Sequence, residues 1–470
     1  MKILSSLTLC LITALCSGCT NVLKSDYRAP EVNYPINWTK GDVDGNTSPF
    51  DWEEFNDPNL DNWLHLVMTS NNDIAIAALR IHRAQLDAER TGITNTPALK
   101  AALSMDGKKQ LNNSSGWAKS GSASLGTSYE LDLWGKIARQ RDVAEWAVHA
   151  SEEDFRSARL MLLSEASNNY WRIGFVNQQI TTLQQSIDYA KETLRLAEVR
   201  YRAGNISSLD VIDAQQNLLT QENQLTGLQR EHSQLLNQQA VLLGTVPGCQ
   251  IVEPTTLPKG SLPKVNANIP ASILMRRPDI SAKEWQLREA LATVDIKRSE
   301  YYPTFNLTGA LGTSSASLLA LLHNPVGSVG ANLTLPFLEW RQRDIEVKIA
   351  RNDYEQRVLE FKQLLYKAMS SIEDALSFRN QLLLQETRLR EELELARKSE
   401  WLNEVRYRHG AVRISFWLDA QEKRRQAELR LDENRFNQLQ NLAKIYLEFG
   451  GAQPFLKSNW GQPGAIRSEK

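Results

Sequence analysis

Residues 199–215 read VRYRAGNISSLDVIDAQ, and residues 405–421 read VRYRHGAVRISFWLDAQ. The two stretches align without a gap, with an offset of 206 between Tyr201 and Tyr407. Two further pairs of residues show the same offset: Pro97 with Pro303, and Trp134 with Trp340. A repeat of this kind is read before any other pattern, because it changes the prediction for the whole fold. We therefore expect two copies of one unit of roughly 200 residues.

We call residues 199–215 and 405–421 the twin motifs. The long polar stretch before each twin motif predicts a long helix. Residues 136–202 and 342–408 contain no proline, and such a helix would be on the order of 100 Å long. Apolar residues three and four apart predict a coiled-coil seam, which Glu386 and Glu400 interrupt in the second copy. Residues 59–94 also have helical spacing.

The twin motifs themselves predict the tips of two helical hairpins. Gly204 and Gly410 suit the left-handed position that ends a helix, and Ser207 or Ser208 suits the start of the next one. A short turn would then return the chain antiparallel. The returning helices are predicted at residues 209–243 and 412–448.

Between the helices, alternating apolar residues predict two β-hairpins, at 98–133 and 304–338. The apolar positions are odd-numbered in both copies, so both hairpins should have the same apolar side. Strands of about ten residues suit a tilted transmembrane strand, with Trp134 and Trp340 at the membrane surface. Four strands cannot close a barrel in lipid, so several chains must combine: two would give eight strands, and three would give twelve and a lumen. The alternative is a pair of soluble hairpins packed on helices.

The N-terminus has the order of a bacterial export signal. Lys2 precedes an apolar run at 3–15, and Cys16-Ser17-Gly18-Cys19 follows. This resembles a lipobox, which implies a signal peptide at 1–18 and lipidation of Cys19, with palmitate among the acyl chains. The alternative is an ordinary secretory signal cleaved nearby. Residues 19–58 are polar and carry prolines, so we expect an extended tether from the lipid anchor.

The remaining boundaries follow from these elements. We predict a first repeat at 59–244, a linker at 245–270, a second repeat at 271–449 and a tail at 450–470. The linker is rich in proline.

Composition excludes several classes of function. The chain has 470 residues and a formal net charge of -1, whereas nucleic-acid-binding proteins normally carry a basic face. The six histidines are scattered without metal-ligand spacing, and no G-x-S-x-G or Walker pattern occurs. We expect no enzyme, no cofactor, no metal site and no nucleic-acid partner.

Short motifs in a fixed order make the chain resemble TolC/OprM-type outer-membrane efflux channels, in the lipoprotein subgroup. Besides Cys19 and the twin motifs, they are DYRAP at 26–30, DWEEF at 51–55, ELDLWGK at 130–136, MRRPDI at 275–280 and LPF at 335–337. The resemblance implies a long antiparallel coiled-coil α-helical barrel and four β-strands per chain in a trimeric twelve-stranded barrel. It also implies a bacterial outer-membrane location and a passive exit duct in a tripartite efflux pump.

In that family the helical tips carry two roles. A periplasmic adaptor, or membrane fusion protein, docks there and connects the channel to an inner-membrane transporter, which implies docking by Arg200, Tyr201, Gly204, Arg406, Tyr407 and Gly410. The resemblance also implies a narrow aperture at Asp419. Phe416 stands where some members carry another aspartate, so the ring is less acidic.

Elementary electrostatics supports a gate at this position. Three copies of Asp419 would place like charges close together and favour a bound cation or proton. Arginines beside the tips are expected to pair with acidic groups on neighbouring helices and hold the aperture shut. The alternatives are an exposed carboxylate near a helix start and solvated arginines that favour the helix dipole.

A second class of function stays open at this point. A non-conducting exported coiled-coil scaffold lipoprotein would also need the long helices. It would have no use for alternating strands bounded by Trp134 and Trp340, so the hairpins favour the channel.

Overall fold

The computed structural model describes residues 23–32, 52–109, 117–249, 253–263, 265, 271–315 and 325–451. The predicted signal peptide, the lipidation residue Cys19 and the tail from residue 452 lie outside this part. The chain forms two compact units. One combines Met1–Val32, Leu79–Asp154 and Asp279–Leu364, and the other combines Asn33–Ala78, Phe155–Pro278 and Leu365–Lys470. Each unit therefore draws on both predicted copies of the repeat.

The chain is mainly helical, with four strands, as predicted. The first elements are α1 (Pro58–Ser70), α2 (Asn72–Ile93), β1 (Ala98–Lys108), β2 (Ala118–Leu131), α3 (Lys136–Arg202) and α4 (Ser208–Leu242). A similar order follows in α5 (Pro278–Ser299), β3 (Thr304–Ser315), β4 (Val326–Thr334), α6 (Trp340–Arg408) and α7 (Ile414–Glu448). Short 3-10 helices lie at Trp52–Phe55, Ala271–Arg276 and Pro336–Glu339.

The helix predicted over 59–94 is in fact two helices, because Asn71 interrupts it. The backbone of Asn71 is extended, and its side-chain oxygen accepts hydrogen bonds from the N–H groups of Asp73 and Ile74, at 2.9 and 3.1 Å. Its amide nitrogen donates to the Leu242 carbonyl at 2.8 Å. Asn71 thus ends α1, caps α2 and ties both to the end of α4.

The predicted tether packs against helices at the residues that the structure describes. In the first unit, the backbone N–H and the hydroxyl of Ser25 donate to the Asp295 carboxylate at 2.8 and 2.7 Å. In the second unit, Trp52 is buried and its ring meets Tyr446 edge-on at 5.7 Å. At Ser25 and Trp52 the segment is therefore held against helices by polar and aromatic contacts, and its role as a tether from a lipid anchor stays a prediction.

The sheet confirms the predicted parity of the hairpins. Its order is β1-β2-β3-β4, and all neighbours are antiparallel. Odd-numbered residues pair with odd-numbered residues at every position, as in Leu103 with Ala123, and Leu125 with Leu311. Since side chains alternate between the faces of a sheet, Leu, Val, Ala and Phe gather on one face. The other face carries Ser, Thr, Asn and Lys.

The ends of the strands differ from the prediction. β1 and β2 pair as far as Lys108 with Ala118, within the predicted hairpin. β4 ends at Thr334, before the predicted end of the second hairpin at residue 338, because Pro336 has no N–H to donate and begins a 3-10 helix. The indole N–H of Trp134, just after β2, donates to the Pro303 carbonyl just before β3 at 2.8 Å.

The two long helices are continuous, and α3 has the predicted bounds. α3 has 67 residues and α6 has 69. Close packing explains the glycine at position 174 in α3, because a Cβ there would lie 3.0 Å from the carbonyl oxygen of Thr256. Within the part of the chain described, no helix is both long and apolar enough to cross a membrane.

The acidic residues that interrupt the coiled-coil seam of α6 are paired with α7. Glu386 accepts a hydrogen bond from the Gln438 amide at 2.8 Å. Glu400 forms an ion pair with Arg424 at 2.5 Å. Apolar packing and polar pairs therefore alternate along the hairpin of α6 and α7.

Candidate functional site at the helical tips

Both tips end their long helix with a left-handed glycine, as predicted. Gly204 has φ of +75° and Gly410 has φ of +76°. At the first tip, the N–H groups of Gly204 and Asn205 donate to the carbonyls of Tyr201 and Arg200, both at 2.9 Å. The second tip has the same pair of bonds at Gly410 and Ala411. This is the Schellman motif, which satisfies carbonyl groups that a helix end would otherwise leave unpaired.

The helices that leave the tips begin differently. Ser207 caps α4 through a capping box, in which its side chain accepts from the backbone and Asp210 accepts from the Ser207 N–H. At the offset of 206, Ser207 corresponds to Arg413 and Asp210 to Phe416. Arg413 makes no side-chain cap bond at the start of α7. The second tip has therefore lost the stabilising box of the first one.

A small hydrophobic cluster joins the two tips, and we call it the tip core. Its buried members are Ala197, Ala214, Tyr407, Ile414, Trp417 and Leu418. The rings of Tyr407 and Trp417 stack at 5.3 Å with 24° between their planes, and Tyr189 meets Trp417 edge-on at 5.8 Å. Such aromatic pairs contribute roughly 0.5–1.5 kcal/mol each beyond their burial.

The two motif tyrosines have opposite surroundings. Tyr407 is 2% exposed, whereas Tyr201 is 48% exposed. Tyr407 was predicted at the docking surface, but its ring lies inside the tip core because the bulky Trp417 stacks on it. Tyr201 stays available at the surface. The equivalent tyrosine is therefore a packing residue in the second copy and a surface residue in the first.

Within the described residues of the single chain, two of the arginines beside the tips pair with acidic groups of their own helices, and the predicted pairs that would hold the aperture shut stay a prediction. Arg202 and Arg408 pair with Glu198 and Glu404, one turn earlier on their own helices. Arg200 does reach the other hairpin, where its guanidinium lies over the Tyr407 ring at 5.0 Å and donates to the Arg408 carbonyl at 3.3 Å. Arg406 is exposed. Of these residues, Arg200 connects the two tips within one chain.

The predicted aperture residues share one exposed face of α7. Phe416 is 57% exposed, and Asp419 is exposed one turn later. The residues between and beside them, Trp417, Leu418 and Ala420, are buried. The side that faces the tip core and the side that carries Phe416 and Asp419 are therefore distinct.

A polar network behind the tips escaped the sequence analysis. Arg424 of α7 pairs with Glu400 of α6 and, at 2.7 Å, with Glu428 of its own helix. Burial raises the pKa of Glu400, and Arg424 opposes that rise. The interrupted seam at Glu400 was the available signal, because an acid on an apolar stripe needs a partner. Among the described residues, no cluster of His, Cys, Asp and Glu could hold a metal ion.

Comparison with a known sequence family gives a double match. The model of the family described as outer membrane efflux protein matches residues 63–245 and again residues 269–451. Each end of the second match follows the first by 206 residues. That number is the offset between the tip motifs.

Individual relatives match over nearly their whole length. Toxin and drug export protein A of Aggregatibacter actinomycetemcomitans is 27% identical over 456 residues, 95% of this chain and 97% of that protein. Pyoverdine export outer membrane protein OpmQ of Pseudomonas aeruginosa is 29% identical over 469 residues, 96% and 97% of the two chains. The crystal structure of the Campylobacter jejuni CmeC outer membrane channel has the same fold, with a TM-score of 0.81 at 22% identity, over 91% of this chain and 94% of that one.

Proposed function

Because the chain belongs to the outer membrane efflux protein family, we propose that it is the outer-membrane exit duct of an export system with a periplasmic adaptor and an inner-membrane transporter. Channels of this family are trimeric, work with such components and are not enzymes. The transport itself is passive in this proposal, since the energy is supplied at the inner membrane.

The four-stranded sheet is the observation that carries the proposal. One face is apolar, and its residues are exposed in the single chain, with Val329 at 96% and Leu99 at 76%. Among the described residues, β1 and β4 each pair with one neighbour only. An open strand edge is not tolerated in lipid, because its N–H and C=O groups find no partners. Three copies of this sheet, closed into one barrel of twelve strands, would satisfy both edges and leave a lumen.

The order of the elements and the double family match support one duplicated unit, with the repeats at 59–244 and 271–449 and a linker at 245–270. Cys19 would carry the lipid that anchors the N-terminus to the outer membrane. The lipobox-like Cys16-Ser17-Gly18-Cys19 supports this anchor.

At the periplasmic end, we assign the aperture to the exposed face of α7. In a trimer, Asp419 would form a ring of carboxylates and Phe416 a ring of phenyl groups one turn nearer the tip. A carboxylate ring attracts cations, and an apolar ring resists hydration. The pair would therefore form a narrow resting aperture with two layers of different chemistry.

Electrical recording tests the channel. The full-length protein, purified in detergent, is expected to run as a heat-sensitive trimer and to give single-channel conductance in planar bilayers. A stable helical trimer with no conductance would favour the coiled-coil scaffold instead.

Replacement of the aperture carboxylate tests the gate. Asp419→Ala is expected to raise the conductance, because it removes the side chain that narrows the aperture and binds cations. Asp213→Ala, the equivalent change at the first tip, is the matched control and should leave the conductance close to wild type. Equal conductance of wild type and Asp419→Ala would remove Asp419 from the gate.

A further inference from the structure

A cavity of about 570 Å³ lies between the two tips. Its charged residues are three arginines, Arg200, Arg408 and Arg413, and a single carboxylate, Asp210. The tip core forms its floor at Tyr407. The cavity is therefore a positively charged recess at the end of the helical hairpins.

The charge comes from differences between the twin motifs. Residues 199–215 carry a net charge of 0, whereas the equivalent residues 405–421 carry +2 with histidine neutral. Arg413 replaces Ser207, and Phe416 replaces Asp210, at the offset of 206. The first substitution adds a cation to the cavity wall, and the second removes an anion from the second tip.

The lining residues leave part of this charge uncompensated. Arg408 pairs with Glu404, Arg200 lies over the Tyr407 ring, and Asp210 is engaged in the capping box of α4. Arg413 is exposed and makes no cap bond. A negatively charged group entering the cavity would meet Arg413 without displacing any of the contacts described above.

We propose that this cavity binds a carboxylate side chain from the tip of the periplasmic partner, an inference that rests on the proposed function. Two carboxylate oxygens can accept a bidentate pair of hydrogen bonds from the Arg413 guanidinium. The site lies on the tip surface, next to the exposed Tyr201 and Arg406, where a docking protein would reach it. Because the second tip carries more positive charge than the first, the acidic side chain of the partner would favour the second tip.

A binding experiment with a defined probe tests the proposal. The full-length trimer in nanodiscs is titrated with a synthetic helical-hairpin peptide that carries glutamates at its turn, and with the same peptide carrying glutamines. We expect the glutamate hairpin to bind about tenfold more tightly, as a charge-assisted contact requires, and to weaken with salt. Arg413→Gln should reduce its affinity by about tenfold.

Matched variants separate this site from general charge effects. Arg230→Gln removes one exposed cation from α4 outside the cavity and should leave the affinity unchanged. Arg413→Glu should bind a hairpin with lysines at its turn in place of the glutamates. Inorganic phosphate, added as a competitor, should displace the hairpin only weakly.

Three results would overturn the inference: equal binding of the two hairpins, equal effects of Arg413→Gln and Arg230→Gln, or complete displacement by phosphate, which would indicate a site for small anions. The conductance of the same preparations distinguishes a failure of the docking site from a failure of the exit duct. A trimer that conducts but does not bind the glutamate hairpin refutes only the docking site. A trimer that does not conduct refutes the exit duct, whatever the hairpin does.

Discussion

Trp417 and Phe416 are adjacent in sequence and have opposite environments. Trp417 is buried in the tip core and contacts two tyrosine rings, whereas Phe416 is mostly exposed. The Tyr407 ring lies between Trp417 and the guanidinium of Arg200. Trp417 is therefore one of the side chains that hold the tips of the two hairpins together.

We expect Trp417→Ala to loosen the tips and Phe416→Ala to leave them intact. Removal of a buried aromatic side chain lowers the free energy of unfolding by about 3–5 kcal/mol. Removal of an exposed side chain changes it by no more than about 0.5 kcal/mol. Hydrogen exchange of amides at 199–215 and 405–421 measures the local stability. Equal protection in the two variants would mean that the tip core does not hold the tips.

The glycine at each tip is a second residue-scale requirement. Gly410→Ala should destabilise the second tip by roughly 1–2 kcal/mol, because L-residues are strained at positive φ. No atom lies within 4 Å of the added Cβ, so the cost would come from the backbone alone. Gly227→Ala in the interior of α4 also meets open space, but it should stabilise the helix by up to about 1 kcal/mol. The temperature at which the trimer dissociates should fall for Gly410→Ala and rise for Gly227→Ala.

At the scale of elements, regular local patterns were predictable from the sequence and tertiary pairings were not. The ends of the long helices at Arg202 and Arg408 follow from the glycines after them, and the parity of the strands follows from alternation. The helix break at Asn71 depends on the Leu242 carbonyl, which no local pattern reveals. The burial of Tyr407 depends on the opposite hairpin, so identical motifs gave no sign of it.

Packing of α3, α5 and α6 in the first unit half-buries Glu289 beside a cavity of about 480 Å³. Burial raises the pKa of Glu289, against the opposing charge of Arg357. A carboxyl with a raised pKa is more stable protonated in the fold, so its charged form destabilises the native state at neutral pH.

We therefore predict that Glu289→Gln raises the Tm at neutral pH. The gain should shrink as the pH falls through the raised pKa of Glu289 toward its ordinary value, because the wild-type carboxyl then becomes neutral as well. Asp353→Asn, at an exposed position on α6, is the control and should change the Tm little. A gain that stays constant down to acidic pH would contradict this account.

At the scale of the whole molecule, the two faces of the sheet must meet different surroundings. Val329 lies on the apolar face and its neighbour Ser328 on the polar face, because neighbouring residues of a strand point to opposite sides. In a trimeric barrel the apolar face would contact lipid and the polar face would line the lumen. The helices below would continue that lumen through the periplasm.

A lysine placed on either face distinguishes them. Val329→Lys should destabilise the barrel by about 2–4 kcal/mol if the residue lies near the middle of the bilayer, and by less if it lies nearer the membrane surface. Assembly in the outer membrane should then be impaired. Ser328→Lys adds the same charge to the lumen side and should assemble normally. The amount of heat-sensitive trimer in outer-membrane fractions is the measurement. Reversed results would mean that the apolar face points inward.

The open edges of the sheet have a consequence for biogenesis. In the proposed trimer, a newly exported subunit would cross the periplasm before other copies join it, with the outer edges of β1 and β4 open to pairing with unrelated strands. β1 carries Lys100, Asp106 and Lys108, charges that discourage premature pairing, whereas β4 has no charged residue. Escort by a periplasmic chaperone would therefore matter most at β4, and delayed trimerisation should leave subunits that aggregate through that strand.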